Sequence, residues 1–327
     1  MHRVLSIIVL AASVVAAVSC GGKDTAATEQ PLRISVKSID GTKAVITNDG
    51  FPESSAAAMG LFLKASDGNS DYDGHTAGYS NVKAEKAAAS STWEINPSIM
   101  LSETKGTLFA YYPYSSSATD FEQVPVVSSI NGADYLYSVP FTGLNASTNA
   151  ATLNLKHALA LVSINFIRNS SYSGPGKLSY LSLSSDAIAP TGRMDIRDGS
   201  LTASSSPIVF SGFEETIGES GLTEYLLVVP ALYSTEKRDV ELTCVIDGVQ
   251  YNLSMTGKGA DGNGVIIRQG VHSKINLTLK DKDLQVGNVA VEAWNTASGS
   301  GSSIGFGGTG IYPVDVNPAE YGGSFDI

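Results

Sequence analysis

Apolar and polar positions alternate with a period of two along most of this chain, and no helical period of 3.6 is sustained for ten residues. Leu32, Ile34 and Val36 alternate with Arg33, Ser35 and Lys37, which predicts a strand with one buried face. Asp40-Gly41 follows as a turn signal, and Lys43-Ala44-Val45-Ile46-Thr47 resumes the extended pattern. Further strands are predicted over 59–64, 106–112, 124–127 and 135–139. A polar patch over 142–152 then precedes a run from Leu153 to Phe166 that is apolar on both faces. That run predicts a central strand opening a second domain. Strands over 178–183, 192–196, 225–229, 240–246, 251–255 and 274–279 complete the series. Many short strands between turn signals predict an all-β chain with a sandwich in each half.

The first twenty residues follow a different rule. Met1-His2-Arg3 carries positive charge, Val4 to Val18 is apolar, and Ala17 and Ser19 are small, so residues 1–19 read as a secretory signal too short for a membrane span. Cys20, directly after Ala17-Val18-Ser19, looks like the lipobox cysteine of bacterial lipoproteins. That resemblance implies acylation of Cys20 and an outer membrane partner reached through the lipid, which a few buried acyl chains would secure. Ala17 stands where the lipobox prefers Leu, and ordinary signal cleavage fits the same bond. Residues 20–30 are small and polar and read as a tether.

A chain of 327 residues leaves room for two domains after the signal, here 31–150 and 151–294. The formal net charge of -11, with no cluster of Lys and Arg, excludes nucleic acid as a partner. Cys244 sits in the apolar run Leu242 to Ile246. With Cys20 acylated it has no disulfide partner and is expected as a buried free thiol.

Candidate chemistry is sparse. The four histidines include no pair at metal-ligand spacing, and no Gly-x-Ser-x-Gly elbow occurs, so neither an enzyme nor a cofactor or metal is expected. His157 falls in a core-like strand and reads as a packed histidine. The run Asp67 to Asp73 spaces oxygen ligands as a calcium loop begins. It has Tyr72 at the sharp turn and Gly78 at the bidentate position, so a solvated turn is expected. Tyr111, Tyr112 and Tyr114 fit sugar stacking or plain alternation within a sandwich.

Several short motifs recur in a specific order. They are Gly41-Thr42-Lys43-Ala44, Met59-Gly60-Leu61-Phe62, Trp93, Phe109-Ala110-Tyr111-Tyr112-Pro113-Tyr114 and Leu155-Lys156-His157-Ala158-Leu159-Ala160. Tyr225 to Pro230, Gln269-Gly270, Ile275 to Leu279 and Val289 to Trp294 follow. In this order the chain resembles the fimbrillins, lipoprotein-derived subunits of the type V pili of Bacteroidales bacteria. The resemblance implies two tandem transthyretin-like β-sandwich domains and assembly by strand exchange. A surface protease cuts behind the first strand, that strand (within 31–43) leaves, and a strand from another pilus subunit fills the groove. Leu32, Ile34 and Val36 would be the plug, worth roughly 5–9 kcal/mol if all three were buried. The cut would fall between Lys43 and Ala44, where the family carries Arg, so a lysine-directed or trypsin-like protease is implied. A plain hairpin needs no protease and fits the same residues.

Residues 295–327 begin with a Gly/Ser-rich link and carry Tyr312, Val314 and Val316 in alternation around Pro313. This is the expected donor strand, with Pro313 suited to an edge or end; a tail packing on its own domain is the other reading. Two functions follow. One is a pilus subunit that polymerises by donor-strand exchange and supports adhesion. The other is an uncleaved, anchored surface lipoprotein acting as a tip adhesin or glycan binder, with a host protein or glycan as ligand.

Overall fold

In the computed structural model the described residues are 29–40, 51, 56–74, 79–132, 134–231, 239–259, 264–281, 283–292 and 294. Within them the chain is built of strands, with one short 3₁₀ turn at Tyr72–Gly74. The first strands are β1 (Gln30–Pro31), β2 (Arg33–Asp40), β3 (Ala57–Ala65), β4 (Val82–Lys86), β5 (Glu94–Asn96) and β6 (Met100–Leu101). Next come β7 (Gly106–Tyr112), β8 (Val124–Val127), β9 (Ser129–Ile130), β10 (Leu136–Ser138), β11 (Phe141–Leu144) and β12 (Ala150–His157). The second half opens with β13 (Ala160–Arg168), β14 (Lys177–Ser184), β15 (Ile188–Ala189), β16 (Thr191–Met194), β17 (Leu201–Thr202) and β18 (Ile208–Phe210). It closes with β19 (Glu215–Thr216), β20 (Leu222–Pro230), β21 (Glu241–Ile246), β22 (Val249–Ser254), β23 (His272–Lys280) and β24 (Asp283–Glu292).

An eight-stranded sheet in the first half runs β2-β12-β10-β7-β3-β4-β5, with β11 also on β7. In the second half, a six-stranded sheet ordered β15-β20-β13-β23-β24, with β9 also on β20, and a five-stranded sheet ordered β18-β14-β21-β22, with β19 also on β14, close over one core. That core takes the inward positions Val162, Ile164 and Phe166 of β13 against Leu178, Leu181 and Leu183 of β14. Alternation along β14 and β23 is what one buried face requires.

β7 shows why some strands lack that alternation. All seven of its residues are buried. Leu108, Ala110 and Tyr112 face the first-half core, while Phe109 and Tyr111 face a separate cluster. This cluster also takes Leu161, Met194, Leu227 and Val229 from the second half, so it is a third core shared by the two halves.

The predicted single strand from Leu153 to Phe166 is two strands. β12 pairs in parallel with β2 and antiparallel with β10, whereas β13 pairs antiparallel with β20 and in parallel with β23. Ala158 and Leu159, both fully buried in the shared core, carry the chain from one sheet to the other. The changeover therefore falls after His157, and a division at 150/151 would cut β12 from its first residue. Burial in two successive cores, not one central strand, makes this run apolar throughout. The chain also crosses earlier: β8 pairs with β16 and β9 with β20, so residues 124–130 belong to second-half sheets.

Candidate functional site

Among the described residues β2 is the edge strand of the first sheet and has a single strand neighbour, β12. Their pairing is parallel, the slightly weaker arrangement per residue, and its register shifts between Leu153 and Asn154. Side chains follow the predicted alternation. Leu32, just ahead of β2, is 5% exposed in the core, while Ile34 and Val36 are half-buried against it. One anchor and two partial contacts are worth roughly 3–6 kcal/mol, less than three buried side chains would give. Beside them on the same core-facing side of the sheet lie Ala151, Leu153 and Leu155 of β12, with Ala151 paired to Ile34 and Leu153 to Val36.

The fastening is concentrated at the N-terminal end. The Leu32 N–H donates to the Ile99 carbonyl at 2.8 Å and the Arg33 N–H to the Asn149 carbonyl at 2.8 Å. The Asn149 amide donates back to the Pro31 carbonyl at 2.9 Å and accepts from Arg33 Nη2 at 3.2 Å. Ser35 and Thr152 share a hydroxyl contact at 3.2 Å. Asn149 was not singled out by pattern, because its role depends on the parallel register rather than on spacing.

At the far end of β12, His157 is buried and bonds through Nδ1 to Asp134 Oδ2. Its ring stacks on Trp294, the last described residue. Asp134 Oδ1 and His157 Nε2 have no hydrogen-bond partner among the described residues. Burial first, and then the Asp134 charge, pushes the neighbouring Tyr112 phenol up to about 12. His157 is thus a packed histidine, and the residues it meets lie 23 and 137 positions away, beyond any motif spacing.

Tyr111 and Tyr112 are core residues. Tyr112 and Tyr114, but not Tyr111, line an open cavity of about 540 Å³ with Glu85, Lys86 and Glu94, and Lys83 Nζ sits 5.5 Å from the Tyr114 ring centroid. Asp67 caps its own turn, accepting the N–H groups of Asn69 and Ser70 at 2.9 Å each. The Ser70 hydroxyl and these N–H donors hold its carboxyl below the usual range. Cys244 is a buried free thiol, pushed up to about 12 by burial. Cys20, Lys43, Ala44, Tyr312, Val314 and Val316 lie outside the described residues.

The profile of the fimbrillin-like family matches residues 42–294. The chain belongs to the fimbrillin-like family. Membership gives it a role in a cell-surface pilus or in adhesion, and the matched span begins just after β2 and ends at Trp294. No curated protein matches the sequence. Among solved structures, this fimbrillin-like chain is similar to a candidate cell adhesion protein from Bacteroides uniformis ATCC 8492, with TM-score 0.58 and 17% identity over 81% of this chain and 99% of the other. A second, from Bacteroides ovatus ATCC 8483, gives TM-score 0.57 and 13% identity over 82% and 98% of the two chains. At these identities the likeness establishes the fold.

Proposed function

We propose that this fimbrillin-like chain is a structural subunit of a cell-surface pilus, made as a lipoprotein precursor and polymerised by donor-strand exchange. Cys20 is acylated and holds the precursor on the outer membrane. A trypsin-like or lysine-directed protease cuts between Lys43 and Ala44, β2 departs, and the slot it leaves alongside β12 takes an apolar strand from the tail of another subunit. Tyr312, Val314 and Val316 are the side chains that tail presents.

The observation that carries this reading is the attachment of β2. Among the described residues it is an edge strand in parallel pairing with one neighbour, with Leu32 just ahead of it in the core and Ile34 and Val36 half-buried. A strand held by roughly 3–6 kcal/mol of side-chain burial can be exchanged once its covalent link is cut. An antiparallel central strand buried on both faces, such as β7, could not leave without breaking two cores.

The test is the N-terminal residue and intact mass of protein taken from the cell surface, for the natural chain and for Lys43→Gln. The reading requires a natural chain beginning at Ala44 and a variant that keeps β2 and stays unpolymerised. A natural chain beginning at Cys20 in assembled pili would overturn it. Removal of residues 295–327 should leave a folded, matured body that does not polymerise.

A second reading, an uncleaved surface adhesin for a host protein or glycan, is favoured by the cavity beside Tyr114. Its mixture of an aromatic ring, two carboxylates and an amine suits a polar ligand such as a sugar.

A further inference from the structure

Sheet edges expose unpaired backbone groups, and proteins blunt them with charge, proline, bulges or shortness. Most edges of this fold are blunted. β2 carries Arg33, Lys37 and Asp40 and a register shift. β5 has three residues and is followed by Pro97. β24 is bulged opposite Asn276 and receives the Lys258 carbonyl at the Val289 N–H at 3.1 Å. β8 contains Pro125, and β18 has three residues after Pro207.

β22 has none of these devices. Its six residues, Val-Gln-Tyr-Asn-Leu-Ser, include no charge, proline or glycine, and its pairing with β21 runs without a register shift. Among the described residues no strand pairs with its outer side. Val249 is 50% exposed, Gln250, Asn252 and Ser254 are exposed, and Tyr251 and Leu253 lean on the second-half core.

The hydrogen-bond phase of this edge is fixed. The Met255 N–H donates to the Val240 carbonyl at 2.9 Å, so by alternation the backbone groups of 249, 251 and 253 face β21. Those of Gln250, Asn252 and Ser254 face outward. An antiparallel partner of the same sequence, placed on a twofold axis through Asn252, sets Asn252 against Asn252 and Gln250 against Ser254. Every outward N–H and C=O of the three residues is then paired, giving six bonds. The same register sets Tyr251 against Leu253 on the inner face, so apolar meets apolar and polar meets polar.

We infer that β22 is a self-pairing edge at which two copies of this chain join their five-stranded sheets across a twofold axis. Charge selects the same occupant. The chain carries a net charge of -11, so two copies repel in most orientations, and β22 is a strip where backbones approach without opposing charges. Glu241, the carboxylate beside Ser254, is on β21, one strand further in. At one bond per 100–200 Å², six bonds correspond to roughly 600–1,200 Å² of interface, a weak contact that crowding on a surface would populate. Such a contact would associate neighbouring subunits side by side. It is independent of strand exchange, because β2 lies in the other half.

The experiment is sedimentation equilibrium of the full chain carrying Lys43→Gln, so that β2 stays in place, over a concentration series reaching several hundred micromolar. A monomer–dimer equilibrium is expected. Asn252→Pro removes the central N–H at an outward position that tolerates proline and should weaken dimerisation at least tenfold with an unchanged melting temperature. Asn252→Lys should do the same by charge, which keeps the test valid if the proline variant fails to fold. Asn252→Cys should give a disulfide-linked dimer on mild oxidation, since facing residues of a hydrogen-bonded pair have Cα atoms ~5.5 Å apart. A chain that stays monomeric throughout, or Asn252→Lys dimerising like its parent, would overturn the inference.

Discussion

The Trp294 indole lies nearly flat on the His157 imidazole, ring centroids 3.9 Å apart and planes at 15°. One residue ends β12 in the first-half sheet, and the other follows β24 in the second-half sheet. The stack therefore ties the end of β12 to the shared core. Asp40 pairs with Lys156, the residue before His157, so Trp294, the last described residue, lies close to the far end of β2.

Trp294→Ala should cost about 3–5 kcal/mol in denaturant unfolding, the usual range for deleting a buried indole. It also uncovers a buried Asp–His pair. A loss below about 1 kcal/mol would mean that the shared core does not depend on the stack.

Glu224 gives the fold a pH dependence. It is 2% exposed and accepts one bond from Asn131 Nδ2 at 2.7 Å, and burial pushes its carboxyl up to about 7 from 4.5. The folded form therefore binds its proton more tightly than the unfolded form. This term is fully favourable below pH 4.5 and is lost as pH rises to about 7, a change of about 3 kcal/mol at 1.36 kcal/mol per unit. Glu224→Gln should match the parent near pH 4.5 and exceed its stability at pH 8. Parallel stability curves for the two proteins would refute the assignment.

The attachment of β2 is graded. Leu32→Ala should cost about 2–4 kcal/mol of the local opening energy of this strand, and Val36→Ala less than about 1 kcal/mol, because only Leu32 is fully in the core. Native-state hydrogen exchange of the β2 amides measures both. Equal effects would contradict the burial gradient.

Gly60 pairs with Tyr111 across β3 and β7, and a Cβ placed there would stand 2.0 Å from the tyrosine ring. The ring is held, its hydroxyl donating to Asn81 Oδ1 at 2.8 Å. Gly60→Ala should therefore destabilise by about 1–3 kcal/mol in thermal unfolding. Tyr111→Phe would release the hydroxyl without creating the space, so it should not rescue the alanine.

Much of this fold was legible residue by residue. β7 and β8 fall where alternation or apolar runs placed them, and β3, β14, β20 and β23 lie within a few residues of the prediction. β24 was not legible, because its bulge near Gly287 and Asn288 shifts the phase of an otherwise alternating segment. β4 and β5 were missed because Val82, Ala84 and Ile95 are too few apolar positions to stand out. At the candidate site, the alternation of Leu32, Ile34 and Val36 was read correctly, but its depth was not.

The sequence by itself determined the all-β class, most strand positions, the buried thiol of Cys244 and the inward side of the strand ahead of Lys43. These follow from a local rule, since side chains on a strand alternate and one face is buried. Only the tertiary structure decided that β2 pairs in parallel with β12, that the chain changes sheets at Ala158 and Leu159, and that Trp294 meets His157. It also decided that β22 is an edge strand among the described residues. Each of these depends on which distant segment lies alongside, and a segment's own pattern of apolar residues reports how much of it is buried but not against what.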